Sequence, residues 1–125
     1  MVTDLGTLQL DISSLNEGDV QHFTFLRDGR EVPAFVVRYK GECFTYVNRC
    51  PHVTYSLDFA DGNVQDASRN FLQCHSHGAL FLPESGECFM GPAVGRSLES
   101  LPSKRDGDTL LVYLQPEPEG WPHPS

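Results

Sequence analysis

Three of the five histidines in this chain stand within three residues of a cysteine. Cys50-Pro51-His52 sets a thiol and an imidazole two positions apart. Cys74-His75-Ser76-His77 repeats the pairing, with two residues between Cys74 and His77. Twenty-one residues separate His52 from Cys74. Two sulfurs and two ring nitrogens can share only a metal that accepts both. Zinc takes two cysteines and two histidines tetrahedrally, and a two-iron, two-sulfide cluster can be held by two cysteines on one iron and two histidines on the other. Spacing separates the two. A zinc finger pairs like ligands, Cys-x-x-Cys and then His-x-x-x-His. Here each short element mixes one of each, which suits a two-iron cluster to which each loop gives one ligand per iron. A Cys/His-rich turn without function is the bland alternative. Two thiols beside two imidazoles in neighbouring loops demand a stronger reason than that.

The elements that must present these residues are short strands. Leu8–Ile12 opens the chain, and Val20–Leu26 turns through Arg27-Asp28-Gly29-Arg30 into the Val- and Phe-rich run Glu31–Tyr39. Lys40-Gly41-Glu42 leads into Cys43–Val47, which runs up to the first pair. Asn70–Cys74 and Ala79–Leu82 flank the second, and Pro83-Glu84-Ser85-Gly86 turns the chain into Glu87–Met90. Ser97–Lys104 and Thr109–Leu114 flank Arg105-Asp106-Gly107-Asp108. Short strands with Gly- and Asp-containing turns predict an all-β antiparallel sandwich or barrel. Pro51 to Arg69 is a long polar connection, a length that in a small domain usually marks a functional or mobile loop. Residues 115–125, with Pro116, Pro118, Pro122 and Pro124, form an expected Pro-rich, weakly ordered tail beyond a single domain of residues 1–114.

Composition narrows the function. The 125 residues are 39% hydrophobic and 21% charged, as in an ordinary globular domain. No run nears the ~18 apolar residues of a membrane span. The N-terminus lacks a basic patch followed by an apolar stretch, so a cytoplasmic protein is expected. Seventeen acidic residues against nine basic give a charge of −8, which argues against nucleic acid and suits a basic protein partner. Cys43 and Cys88 fall in strands and are expected to fill apolar core; a Cys43–Cys88 disulfide or a metal site made of all four cysteines is the lesser alternative. His75 has the wrong offset for a ligand and is expected on the loop surface. His22 and His123 look incidental, and Tyr55 either packs over the cluster or caps its loop.

Cys50-Pro51-His52 with Cys74-x-x-His77-Gly78 resembles the Rieske motif, Cys-x-His followed by Cys-x-x-His-Gly. The resemblance extends to the preceding Glu42-Cys43-Phe44-Thr45-Tyr46-Val47-Asn48 and to Ala79-Leu80-Phe81, Ser85-Gly86-Glu87 and Gly91-Pro92-Ala93 that follow. It runs from about Val20 to Leu114. It implies a Rieske-like fold with a small cluster-binding subdomain formed by two loops, at about residues 43–93, and one [2Fe-2S] cluster. Carried over by position, Cys50 and Cys74 hold the inner iron and His52 and His77 the outer, solvent-near iron. Gly78 lets backbone approach closely, and Gly91-Pro92 shields the cluster.

The sequence also departs from the family pattern. His52 is followed by Val53-Thr54-Tyr55-Ser56-Leu57, with no glycine before Gly62. The disulfide of respiratory Rieske proteins has Tyr55 and Ser76 at its positions here, so the resemblance implies none. Ala79 and Phe81 stand where those proteins place a Ser and a Tyr that hydrogen-bond the cluster. Lacking those donors, the expected potential lies toward the low end of a range of roughly −150 to +300 mV.

The function implied is a soluble Rieske-type ferredoxin, which carries single electrons from a flavin-dependent reductase to a terminal oxygenase or other oxidoreductase. Such a carrier has no catalytic residues of its own. A small redox subunit of a larger enzyme, such as the nitrite reductase type, is one alternative. A binding module stabilised by zinc on two cysteines and two histidines is the other. A complete oxygenase is not expected, because its catalytic iron needs two further histidines and a carboxylate. Only His22, His75 and His123 remain. The oligomeric state is left open.

Overall fold

The computed structural model describes residues 6–27, 29–49, 64–65, 71–73, 79–91 and 94–114. These residues form nine strands and no helix: β1 (Thr7–Asp11), β2 (Val20–Arg27), β3 (Arg30–Tyr39), β4 (Glu42–Val47), β5 (Leu72–Gln73), β6 (Leu80–Phe81), β7 (Cys88–Met90), β8 (Ser103–Asp106) and β9 (Thr109–Tyr113). They pair antiparallel in three sheets, ordered β1-β9-β8, β2-β3-β4 and β5-β6-β7.

The β2-β3-β4 sheet is the centre, and β3 shows why. Successive side chains of a strand point to opposite faces, yet Ala34, Phe35, Val36 and Val37 are all buried. Both faces of β3 are therefore covered. Phe35 and Val37 join Tyr46 of β4 in a core with Val64, Leu72, Ala79, Phe81, Cys88 and Leu98. Val32, Ala34 and Val36 join Val47 in a second core with Ile12, Leu15, Phe25, Leu101, Leu110, Val112 and Leu114. The first core lies toward the small β5-β6-β7 sheet and the second toward the β1-β9-β8 sheet. The expected all-β antiparallel sandwich is present, with a further small sheet on the other face.

The chain turns where the sequence marks turns. The β2–β3 connection passes Gly29, whose φ of +76° is easy only for glycine; Asp28 beside it lies outside the described residues. β8 and β9 join through Gly107 and Asp108, a tighter turn than expected, since Arg105 and Asp106 belong to β8. The expected strand at Ser97–Lys104 is shorter in fact. Ser97 and Ser100 make isolated bridges to Glu87 and Tyr46, and the ladder proper starts at Ser103, after Pro102, which has no N–H to give. Val47 donates its N–H to the Glu99 carbonyl (2.9 Å) and Leu101 to that of Thr45 (2.9 Å), so this segment runs along the free edge of β4. Arg27 and Glu99, both almost fully buried, form an ion pair with a 2.6 Å contact that fastens the end of β2 to the same segment.

Candidate metal centre

The expected ligands Cys50, His52, Cys74 and His77 lie outside the described residues, as do Tyr55, His75, Ser76, Gly78, Pro92, Ala93 and His123. The structure does describe the frame from which both ligand segments leave. β4 ends in a tight finish: Asn48, buried, donates its N–H to the Pro33 carbonyl (2.8 Å), and Arg49 donates to Val47 (2.9 Å). Cys50 is the next residue. The second segment is fixed at both ends. Gln73 pairs with Leu80 and Leu72 with Phe81, so residues 74–79 connect two hydrogen-bonded strands. Leu72 also bridges Gln65, and Gln73 donates to the Val64 carbonyl (2.9 Å). Gln65 in turn donates from its side chain to the Gly18 carbonyl (2.8 Å). The far end of the Pro51–Arg69 connection is thus tied both to β5 and to the loop before β2.

The end of β7 closes on this frame. Gly91 has a φ of +100°, and a Cβ there would lie 2.7 Å from the Ala79 Cα, closer than real atoms approach. Ala79 is the first described residue after the second motif and is wholly buried, as is Phe81. Neither carries a hydroxyl, so both offer only hydrocarbon just after the second Cys/His pair. Cys88 pairs with Phe81 across the strands. It is 2% exposed, and its Sγ donates to the Met90 carbonyl (3.3 Å). Cys43 packs partly buried against the other core, and burial pushes its thiol pKa up. Both are free thiols, so they fill core as expected and no Cys43–Cys88 disulfide forms. His22 is exposed on β2, its ring 6.2 Å from that of Phe35.

One residue that sequence reading passed over is central here. Tyr46 is 2% exposed, and its hydroxyl donates to the Pro83 carbonyl at 2.6 Å. Its ring lies between Phe35, at 5.9 Å between centroids, and Gly86, where a Cβ would come within 2.8 Å of Tyr46 Cε1. Burial, and secondarily the nearby Glu84, pushes its hydroxyl pKa far up, so the group stays protonated as a donor. The available signal was a tyrosine in a strand that also carries Phe44 and Val47, because a buried Tyr O–H requires a partner.

The donor set and the frame suit a two-iron cluster. Two thiols and two imidazoles would supply the mixed ligation, and the β5–β6 pairing brackets the second Cys/His pair in the chain. A glycine at Gly91 allows the backbone approach that a side chain would block. The sequence matches the Rieske [2Fe-2S] domain family over residues 9–105.

The chain belongs to that family.

A Rieske domain is built around one [2Fe-2S] cluster, and this is the cofactor the family assigns here. The fold agrees. The ferredoxin of carbazole 1,9a-dioxygenase from Nocardioides aromaticivorans IC177 superposes with a TM-score of 0.62 at 23% identity, over 93% of this chain and 100% of that one. The terminal oxygenase of carbazole 1,9a-dioxygenase from Novosphingobium sp. KA1 gives 0.72 at 17% identity, over 98% of this chain and 32% of that one. A carbazole-bound oxygenase and ferredoxin complex of carbazole 1,9a-dioxygenase gives 0.72 at 20%, over 93% and 31%. The chain thus spans about a third of the oxygenase chains it matches. No curated protein sequence matches it. Among the described residues no helix is long and apolar enough to cross a membrane.

Proposed function

We propose that this protein is a Rieske-type ferredoxin, a one-electron carrier without substrate chemistry of its own. The observation that carries this reading is the alignment with a solved ferredoxin along that protein's whole length, within a shared domain family. Cys50 and Cys74 would hold one iron as thiolates, and His52 and His77 the other through one ring nitrogen each. When bound, the cluster supplies a site that gains and loses a single electron. The rest of the chain would hold that site, with Ala79 and Phe81, which follow the second Cys/His pair and lack hydroxyls, keeping the potential toward the low end for the type. The electron would come from a flavin-dependent reductase and go to a terminal oxygenase. Weak electron-transfer contacts of this kind bury below ~1,200 Å² in all. The carrier would act in the cytoplasm, within a domain of residues 1–114.

A second reading has its own support. The TM-score is higher against the oxygenase chains than against the ferredoxin, which fits a redox module serving inside a larger oxidoreductase. One preparation separates the readings. Anaerobically purified protein should contain iron and acid-labile sulfide in a one-to-one ratio and show a Rieske-type EPR signal on reduction. It should then pass electrons to an oxygenase on transient mixing, and do so more slowly as salt rises. Material with zinc and no labile sulfide would overturn both readings. A cluster-loaded protein found only in a stable large complex would favour the module.

A further inference from the structure

We propose that Tyr46 is a positioning residue, which locks the β5-β6-β7 sheet, and with it the second ligand pair, against the strand that leads to the first. This rests on the ligand assignment proposed above. Tyr46 belongs to β4, four residues before Cys50. Its hydrogen-bond acceptor, Pro83, lies in the β6–β7 turn, two residues beyond Phe81. Among the described residues the sheets next to the two expected ligand segments share no ladder. They meet in the apolar core around Phe35, Leu72 and Phe81 and, indirectly, through the 96–101 segment, whose backbone bonds Gly86 and Cys88 on one side and Thr45 and Val47 on the other; the Tyr46 hydroxyl adds a direct bond from β4 to the β6–β7 turn. An intervening segment can move with either sheet and apolar packing lets one surface slide on another, whereas a direct 2.6 Å bond to one carbonyl fixes the register of β4 against the turn.

The turn is shaped to receive the ring. Gly86 takes φ +73° and has no Cβ where Tyr46 Cε1 lies. It is pinned from both sides, donating to the Leu82 carbonyl (2.7 Å) and accepting from the Leu98 N–H (2.8 Å). A cluster held from two elements tolerates only a few tenths of an ångström in ligand position. A contact that sets their separation therefore acts on the cluster without touching it.

The test uses the full-length, cluster-loaded protein. Y46F keeps the ring and removes the bond, and L110V trims the opposite core as a control. Two quantities are read: the rate at which a chelator strips iron, and the g-values of the reduced EPR spectrum. Y46F should lose iron about five- to tenfold faster than wild type and show shifted or broadened g-values, because a buried carbonyl is left unpaired at the joint. L110V should leave both as in wild type even where its Tm falls. If Y46F matches wild type in both, or L110V matches Y46F, Tyr46 is structural only. Should Y46F fail to fold, G86A, which presses on the same ring, is read against the same two criteria. Wild-type protein without iron and labile sulfide would instead refute the ligand assignment itself.

Discussion

The two faces of the central sheet are covered by different means. On one side lie β1, β9 and β8, strands of five, five and four residues in unbroken register. On the other lie β5, β6 and β7, of two, two and three residues, with a register shift between Leu80 and Phe81. The first side is held by ladders and by an apolar core of Ile12, Leu110, Val112 and their neighbours. The second cannot be held by ladder length, since two-residue strands make too few bonds to stand alone. It is held by its apolar core, by the 96–101 segment bonded to both β7 and β4, and by the Tyr46 hydroxyl on Pro83, while Gly91 packed on Ala79 closes the small sheet on itself. A domain divided in this way separates two tasks. One half secures the fold, and the other carries the short strands from which the second Cys/His segment leaves.

Removing a proposed ligand should have the largest effect. H77A and C50S should each abolish the reduced Rieske-type EPR signal and the visible colour. The β-rich far-UV circular dichroism should persist, because the body does not depend on the cluster. Amide exchange should rise at Leu72, Phe81 and Cys88 while Val36 and Val112 stay protected. Global unfolding of either variant would show that the two halves are one cooperative unit.

Next in size is the buried ion pair of the body. Arg27 offers its two terminal nitrogens to the two Glu99 oxygens at 3.3 and 2.6 Å, and both side chains are almost fully buried. E99A leaves a buried guanidinium unmatched and should cost about 3–5 kcal/mol in urea unfolding, whereas replacing both partners by apolar residues should be close to neutral. The EPR spectrum of folded, loaded E99A should be unchanged. A double variant as unstable as E99A would show that the pair contributes more than the mutual compensation of two charges.

G91A sharpens the contrast from the other side. It puts an alanine at φ +100° with its Cβ 2.7 Å from the Ala79 backbone, so something must shift. The cost should be about 1–3 kcal/mol, felt as faster iron loss more than as a lower Tm. An equal fall in both would place Gly91 in the body's cooperative unit.

What could be read from the residues divides along the same line. Strand positions in the body were legible because alternation and turn residues are local. β3 was legible as a Val- and Phe-rich run, but that both its faces are covered shows only in the burial of Ala34–Val37. Ser97–Lys104 misled because Leu98 and Leu101 are buried although the segment follows an edge with isolated bridges rather than a full ladder. The metal-binding motif was legible because mixed Cys/His pairs have few other uses. The joints were not. Tyr46 finds its partner 37 positions along the chain and Arg27 finds Glu99 72 positions away. Nothing in either residue's neighbourhood names the other. Gly86 and Gly91 look like ordinary turn glycines until the atoms pressing on them are known.

The smallest expected effect belongs to the body's far turn and involves pH. Lys40 and Gly41 both take positive φ, 53° and 80°. That geometry suits the right-handed twist of a hairpin but is unfavourable for a lysine. Glu17 offsets it by accepting the N–H groups of Lys40 (2.6 Å) and Gly41 (2.8 Å) on its two carboxylate oxygens. The Gly41 bond first, and the Lys40 bond next, hold its pKa below the ordinary 4.5. A carboxyl depressed on folding contributes stability that is present above 4.5 and lost as pH falls through the lower folded value. E17Q, which carries no charge, should therefore be slightly less stable than wild type at about pH 7. The gap should shrink as pH falls below 4.5 through the lower folded value, as urea titrations at neutral and at acid pH would show. The cluster's EPR spectrum at neutral pH should be identical in the two proteins. A gap of the same size at both pH values would mean that Glu17 acts through shape and not through its charge.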